Sequence, residues 1–374
     1  MLRFLTSGES HGKCLVAILE GMVAGLEVKP EDIDRELSRR QEGYGRGGRM
    51  TIEKDRVEIL SGVRSHLSIG GPIALMVPNK DFKINELPVV KRPRPGHADL
   101  VGVLKYGRQD ARDILERASA RETTARVAVG AVCRNFLKQF GVELVSHVVC
   151  IGGVKADTEG LSFEQIKKES LQSPMHCADK KAEKKMMARV DEARNSKDTI
   201  GGIFEVVAKG LPVGLGSFVH YDRRLNAKLC AALMSIQAVK GVEVGLGFGV
   251  SRSLGLQVHD EIFYEKKKGF YRKTNRAGGL EGGVTNGEPL VLRAATKPYV
   301  TLMSPMQSVN IQSKQKEAAT VERSDVTAVP ACGVVGEAMV AFELANAFLE
   351  KFGGDSLKET QRNYEGYLKQ IREY

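Results

Sequence analysis

Residues 15–26, LVAILEGMVAGL, and residues 204–215, FEVVAKGLPVGL, follow one plan. Each has an apolar strand, a charged residue, a Gly, a short apolar stretch, then a second Gly followed by Leu. A little further on, Asp34-Arg35-Glu36-Leu37 is answered by Asp222-Arg223-Arg224-Leu225, one residue out of register. Strand, Gly turn and helix start therefore recur in the same order. The repeat predicts two related halves, at about 1–150 and 195–345, packed about a pseudo-twofold axis in a single compact domain spanning 1–374.

Around this repeat, short apolar runs alternate with stretches of helical period, the pattern of a mixed α+β chain. Strands are expected at 14–20, 72–78, 144–151, 203–208 and 289–294. One long helix is expected over 109–139, where Ile114, Leu115, Ala118, Val129, Val132, Phe136 and Leu137 mostly keep i, i+3, i+4 spacing. A second long helix is expected at 337–350, with others near 31–40, 163–172, 180–194, 223–236 and 356–371. The Lys-rich stretch 155–200 reads as a solvated helical excursion, and Lys266-Lys267-Lys268 as an exposed loop.

Gly supplies 40 of the 374 residues, above the average of roughly 7%, and without the period of a fibrous chain. Loops of special backbone geometry are the expected use. Lys and Arg number 56 against 46 acidic residues, a formal charge of +10 that suits an anionic partner. Trp is absent and aromatics are 6%, leaving few stacking platforms for a nucleic acid. The six scattered Cys form no Cys-x-x-Cys pair and read as reduced thiols rather than zinc ligands or a disulfide framework. No window looks apolar enough to span a membrane, and the N-terminus does not read as a signal peptide. A cytoplasmic protein is expected.

Five stretches join Gly or small residues to ionisable ones. Gly8-Glu9-Ser10-His11-Gly12 precedes the first strand and frees His11 for acid–base work. Arg39 to Arg49 puts Arg39, Arg40, Arg46 and Arg49 on a Gly-loosened backbone, where guanidinium forks converge on phosphate or carboxylate. Arg92-Pro93-Arg94-Pro95-Gly96-His97-Ala98-Asp99 is a stiffened loop presenting Arg94 and His97. In Glu116-Arg117-Ala118-Ser119-Ala120-Arg121, the two Arg four apart would share a helix face on which a flat ligand lies. The fifth set is Gly278 to Gly283, Lys297 to Thr301 and Arg323-Ser324-Asp325, with the Gly cluster and Lys297 suited to phosphate. P-loop, dinucleotide, nucleophile-elbow and zinc-protease motifs are missing. These residues describe an acid–base site in an arginine-rich anion pocket, with room for a planar cofactor, but they do not name a reaction. A nucleic-acid binder and a flavin oxidoreductase with net redox turnover remain as alternatives.

In this order the stretches resemble the chorismate synthase family, from residue 1 to about 350. The specific matches include Gly-Glu-Ser-His-Gly at 8–12, Gly-Tyr-Gly-Arg at 43–46, Arg-Pro-Gly-His at 94–97 and Glu-Arg-Ala-Ser-Ala-Arg-Glu-Thr at 116–123. Gly-Gly-Val-Thr-Asn-Gly at 282–287, Lys-Pro at 297–298 and Arg-Ser-Asp at 323–325 complete the series.

The resemblance implies a lyase that converts 5-enolpyruvylshikimate 3-phosphate into chorismate by 1,4-anti elimination of phosphate, the last step of the shikimate pathway. It also implies reduced FMN used without net redox change, with NADPH as one possible reductant. The implied fold is a β-α-β sandwich of two similar halves, assembled as a homotetramer, with no nucleic acid or membrane as partner. By position, the resemblance makes His11 the acid for the leaving phosphate, His97 a proton donor near the flavin, and Asp325 the base. Ser10, Arg40, Arg46, Arg49, Arg94 and Arg121 would hold the substrate. Arg117, Ala118, Ser119, Gln237, Ala238, Gly282, Lys297, Pro298, Tyr299, Val300, Thr301 and Arg323 would hold FMN. Ala118 stands where many members have Ser, which removes one hydroxyl contact.

Overall fold

The structure, a computed structural model, describes residues 1–47, 54–322 and 325–374. Arg49 and Arg323, both expected at the site, lie outside the described residues.

The first layer is an antiparallel sheet of β1 (Arg3–Ser7), β2 (Cys14–Glu20), β3 (Glu58–Ser61) and β4 (Ile73–Pro78), in the spatial order β1-β2-β4-β3. Side chains alternate across a strand, so Leu15, Ala17 and Leu19 of β2 enter the core while Ile18 faces out. The second layer contains β5 (Glu143–Ile151), β6 (Val154–Lys155), β7 (Gly202–Lys209), β8 (Val239–Val244) and β9 (Leu290–Thr296). Its order is β6-β5-β7-β9-β8, so apart from the short β6 it repeats the first layer: edge strand, repeat strand, inner strand, far edge. The repeated sequence lies on β2 and β7, the second strand of each set.

Helices fill the space between the sheets and also cover the outer face of the second. Strand β2 leads to α1 (Pro30–Gln41), where Pro30 starts the helix and Ile33 and Leu37 face inward. Helices α2 (Asp99–Tyr106), α3 (Arg112–Ala118) and α4 (Thr123–Lys138) follow, then α5 (Phe163–Gln172) and α6 (Lys180–Asn195). Strand β7 leads to α7 (Leu225–Met234), and the chain continues into α8 (Val329–Phe352) and α9 (Leu357–Glu373). Helices α4 and α8 cross closely at Gly130, where an added Cβ would lie 2.3 Å from the Cβ of Ala338. All of α8 is buried except Glu343, Glu350 and Lys351.

The structure corrects the sequence reading at four places. The expected helix over 109–139 is interrupted, because Ser119 turns extended and its hydroxyl accepts the Arg121 N–H of a short turn at Ala120–Glu122. Arg117 and Arg121 consequently do not share a face. Residues 155–200 are not merely solvated, since Met175, Cys177, Ala182, Met186 and Val190 join the main core. Helix α8 is long and apolar enough by composition to cross a membrane, against the expectation that no window would be, and the fold uses it as the core helix. The sequence reading also passed over β1, β3, β6, β8 and α2.

Candidate active site

The site grows from the loop between β1 and β2. Gly8 has φ +106°, and a Cβ there would meet the Cys14 carbonyl at 2.3 Å, so this turn requires Gly. The Asn79 amide at the end of β4 donates to the carbonyls of Glu9, Ser10 and Gly12 at 3.2, 3.3 and 2.8 Å. The N–H groups of Lys83 and Ile84 both donate to the His11 carbonyl. A loop of small residues is thereby held rigid, the condition for positioned acid–base chemistry.

On α3, Glu116 accepts the His11 backbone N–H at 2.8 Å, and both its oxygens lie 3.0 Å from His11 Nδ1. Burial pushes the Glu116 carboxyl up, but its bonds with His11 and Arg112 outweigh this and hold it below the usual range. With Nδ1–H donating to Glu116, His11 Nε2 is left for a ligand. Ser10 donates its N–H to the Glu116 carbonyl, and its hydroxyl lies 3.3 Å from that of Ser119.

The loop before α2 repeats the device. His97 Nδ1 sits 2.5 Å from Asp99, a fully buried carboxylate that also accepts from Arg94 Nε at 2.8 Å. Burial opposes the charge on Asp99, yet His97 and Arg94 hold it far below the ordinary carboxylate range. Arg94 Nη1 donates onward to the Thr301 hydroxyl at 3.1 Å, and Lys297 Nζ donates to the Gly96 carbonyl.

Asp325 completes the trio. It pairs with Arg46 at 2.7 Å, accepts the Gly47 N–H at 2.6 Å and receives the Tyr299 hydroxyl at 3.4 Å. Burial, reinforced by Asp325, raises the Tyr299 phenol well above its usual value. Further contacts tie these groups to neighbouring loops. Arg112 spans Glu116 and Glu322 at 3.4 and 3.0 Å, Tyr299 meets Asp325, and Thr301 meets Arg94.

Within this frame Arg121 donates to Asn79 Oδ1 and to Asp55, and Arg40 shares Asp55 at 3.2 Å. Burial, with the Arg121 and Arg46 charges, brings Arg40 down to about 10 in spite of Asp55, so it remains a cation at neutral pH. Arg40 Nε is buried with no partner among the described residues, leaving a donor for an anion.

The expected residues divide by location. Ser10, His11, Ser119, Arg40, Arg46, Arg94, His97, Arg121, Asp325, Lys297, Tyr299, Val300 and Thr301 belong to the network or touch it, Val300 through Gly96. Lys297 N–H donates to the carbonyl of Ala238, beside Gln237, which holds Glu122. Pro298 follows Lys297 in the strand exit, and Ala118 ends α3 next to Ser119. Arg117 donates its guanidinium to the carbonyls of Gly8 and Thr6, where β1 runs into the site loop. Gly282 sits on the 280–285 hairpin against Phe218, at the other end of α7 from Gln237. Sequence reasoning missed Asp55, Asn79, Asp99, Arg112 and Glu116 as site residues. Asp99 and Glu116 lay inside quoted motifs, but no spacing rule points to Asp55 or Asn79. Two open clefts elsewhere, of about 510 and 550 Å³, contain none of the three acid–base residues.

Fold and site suit an enzyme built on two carboxylate-paired histidines and a set of buried arginines. A sequence model of the chorismate synthase family matches residues 2–349. Chorismate synthase of Geobacter sulfurreducens is 55% identical, and that of Bacillus licheniformis 52% identical, each with 100% of both chains covered. A crystal structure of chorismate synthase superposes with a TM-score of 0.84 at 42% identity, covering 100% of this chain and 99% of the other. The chain belongs to the chorismate synthase family, lyases that form chorismate in aromatic biosynthesis.

Proposed function

We propose that the chain removes phosphate from 5-enolpyruvylshikimate 3-phosphate by 1,4-anti elimination, giving chorismate, with reduced FMN as cofactor and no net redox change. The observation that carries this reading is the set of His11–Glu116, His97–Asp99 and Asp325–Arg46 pairs, with the buried Arg40 and Arg121 sharing Asp55. Ser10, Arg40, Arg46, Arg49, Arg94 and Arg121 hold the substrate anions. His11, fixed through Nδ1, keeps Nε2 for the proton that the leaving phosphate takes. Asp325 becomes the base for the ring hydrogen when Arg46 turns from it to a substrate carboxylate or phosphate. His97 holds a second proton, its ring set by Asp99.

The residues fit FMN. Gln237 Oε1 is buried with no partner among the described residues. Burial and the nearby Lys240 charge lower the Lys297 ammonium, and neither lysine pairs with a carboxylate among the described residues, an arrangement suited to a phosphate. Ser119, Gln237, Ala238, Lys297 through Thr301 and Arg323 would hold the cofactor. When bound, reduced FMN supplies an electron-rich ring that eases loss of phosphate. NADPH is one candidate reductant.

A homotetramer is part of the same proposal. Leu5, Ile18 and Leu60 expose apolar surface on the outer face of the first sheet. Phe248, Leu254, Leu256, Ile262 and Tyr264 do so on the excursion between β8 and β9. A second copy would cover both surfaces and is the means by which Gly282 reaches a neighbouring site. The assembly works in the cytoplasm, where the six free thiols stay reduced, without nucleic acid or membrane.

The test is anaerobic phosphate release from 5-enolpyruvylshikimate 3-phosphate with photoreduced FMN, oxidised FMN, and oxidised FMN plus NADPH. Release with reduced flavin is the expected result, and activity with NADPH would add an intrinsic flavin reductase. Folded protein silent in all three would overturn the proposal.

A further inference from the structure

His11 is held by a carboxylate with no contact assigned to substrate or cofactor. Glu116 sits on the inner face of α3, its side chain 1% exposed, and makes three contacts to one residue. It takes the His11 N–H at 2.8 Å and faces the ring nitrogen Nδ1 with both oxygens at 3.0 Å. A buried carboxylate costs free energy unless it is paired, and Glu116 is paired on both sides, with His11 and with Arg112 at 3.4 Å. The α3 helix ends two residues later, where Ser119 breaks the chain, so the position of Glu116 is tied to the same break that brings Ser119 to Ser10.

An imidazole can donate from only one nitrogen while neutral, and the partner of one nitrogen decides what the other can do. We infer that Glu116 is a positioning residue for catalysis: it fixes the His11 ring with its proton on Nδ1, holds Nε2 toward the reacting phosphate, and stabilises the imidazolium that donates there. The proton balance is simple. His11 gives its Nε2 proton to a phosphate oxygen and returns neutral with Nδ1–H still bonded to Glu116, and Glu116 gains and loses nothing. The inference rests on the reading of His11 as the phosphate's proton donor.

The experiment uses the full-length enzyme with reduced FMN and the variants Glu116→Gln, His11→Ala and the double variant, alongside ¹⁵N spectra of histidine-labelled protein. The His11 signals are assigned by their loss in His11→Ala. The wild-type neutral ring is expected to carry its proton on Nδ1, and Glu116→Gln to lose that preference because an amide can donate as well as accept. Glu116→Gln should lower kcat about 10²–10⁴-fold while KM changes less than about threefold, as for a group that orients a catalytic imidazole. In the His11→Ala background the same substitution should cost less than about twofold, since nothing remains to position. Should Glu116→Gln fail to fold, Glu116→Asp keeps the charge but shortens its reach, and a loss of about tenfold confined to kcat is expected. Equal slowing by Glu116→Gln with and without His11 would overturn the inference, as would an unchanged ring tautomer with kcat near wild type. Near-normal turnover of His11→Ala would remove the reading of His11 itself, and the ¹⁵N spectra would still show whether Glu116 sets its ring.

Discussion

The molecule contains two His–Glu pairs of nearly one geometry, of which only the one at His11 is proposed to work in catalysis. His11 Nδ1 lies 3.0 Å from Glu116, and His147 Nε2 lies 2.9 Å from Glu205. His147 stands on β5, cross-strand from Glu205, whose other oxygen takes Arg293 Nε at 2.6 Å. Its side chain is 0% exposed, and its free nitrogen Nδ1 is buried without a partner among the described residues. His11 sits between small residues on a loop and is 16% exposed, so its second nitrogen can reach a ligand. Distance alone therefore does not separate a structural pair from a working one. The direction and accessibility of the unpaired nitrogen do, and these come from the backbone that carries the ring.

The largest expected break between the pairs is in turnover. His11→Ala and His97→Ala should leave the fold intact and slow phosphate release about 10²–10⁴-fold each, measured under single-turnover conditions. Near-normal rates in either variant would remove that residue from the mechanism. His147→Leu should do the reverse. Phosphate release should stay within about threefold, while stability falls about 1–3 kcal/mol because Glu205 keeps only Arg293, read by denaturant unfolding. A turnover loss matching that of His11→Ala would abolish the distinction.

A smaller effect sharpens the arginine side of the site. Arg46→Lys replaces a planar fork by a point charge and should raise substrate KM about tenfold while flavin affinity changes little, by parallel kinetics and flavin titration. Equal loss of both ligands would contradict the assignment.

The smallest prediction concerns a carboxyl with no such partner. Burial pushes Glu343 on α8 up to about 7, with only Lys228 nearby to oppose it. A carboxyl whose folded value is raised stabilises the folded state most below its unfolded value near 4.5, and that advantage is lost as pH rises through 7. Glu343→Gln should therefore raise stability by about 1 kcal/mol at pH 8 and hardly change it at pH 5. Equal gains at both pH values would show that titration is not the cause.

The comparison also explains what could be read from the chain. The strands of the repeat were legible because β2 and β7 are apolar runs ended by Gly, and α5 fell at 163–172 as expected because Ser162 and Gln165 form a capping box. The break at Ser119 was not, because Ala and Ser fit a helix, and it goes with a tertiary contact to Ser10 and a local bond from the Arg121 N–H that no pattern announces. His11 and His97 stood out as ionisable residues in a Gly-rich and a Pro-rich loop, whereas Asp325 took its expected role only from the family resemblance. Asp55 and Asn79 were not legible, since nothing near them marks the loop or the guanidinium they hold in space.

Helix α8 has a further consequence, for synthesis. The two sheets meet across a helix that is buried almost throughout yet occupies 329–352, late in the chain. A nascent chain stopped near 328 has made both sheets and α4 but not the helix that packs α4 against the second sheet. Its inner faces stay open to water and to other nascent chains until α8 leaves the ribosome. Chains stalled at 328 should be digested rapidly by protease and those stalled beyond 374 should resist, which makes completion of the fold a late, almost single event in translation.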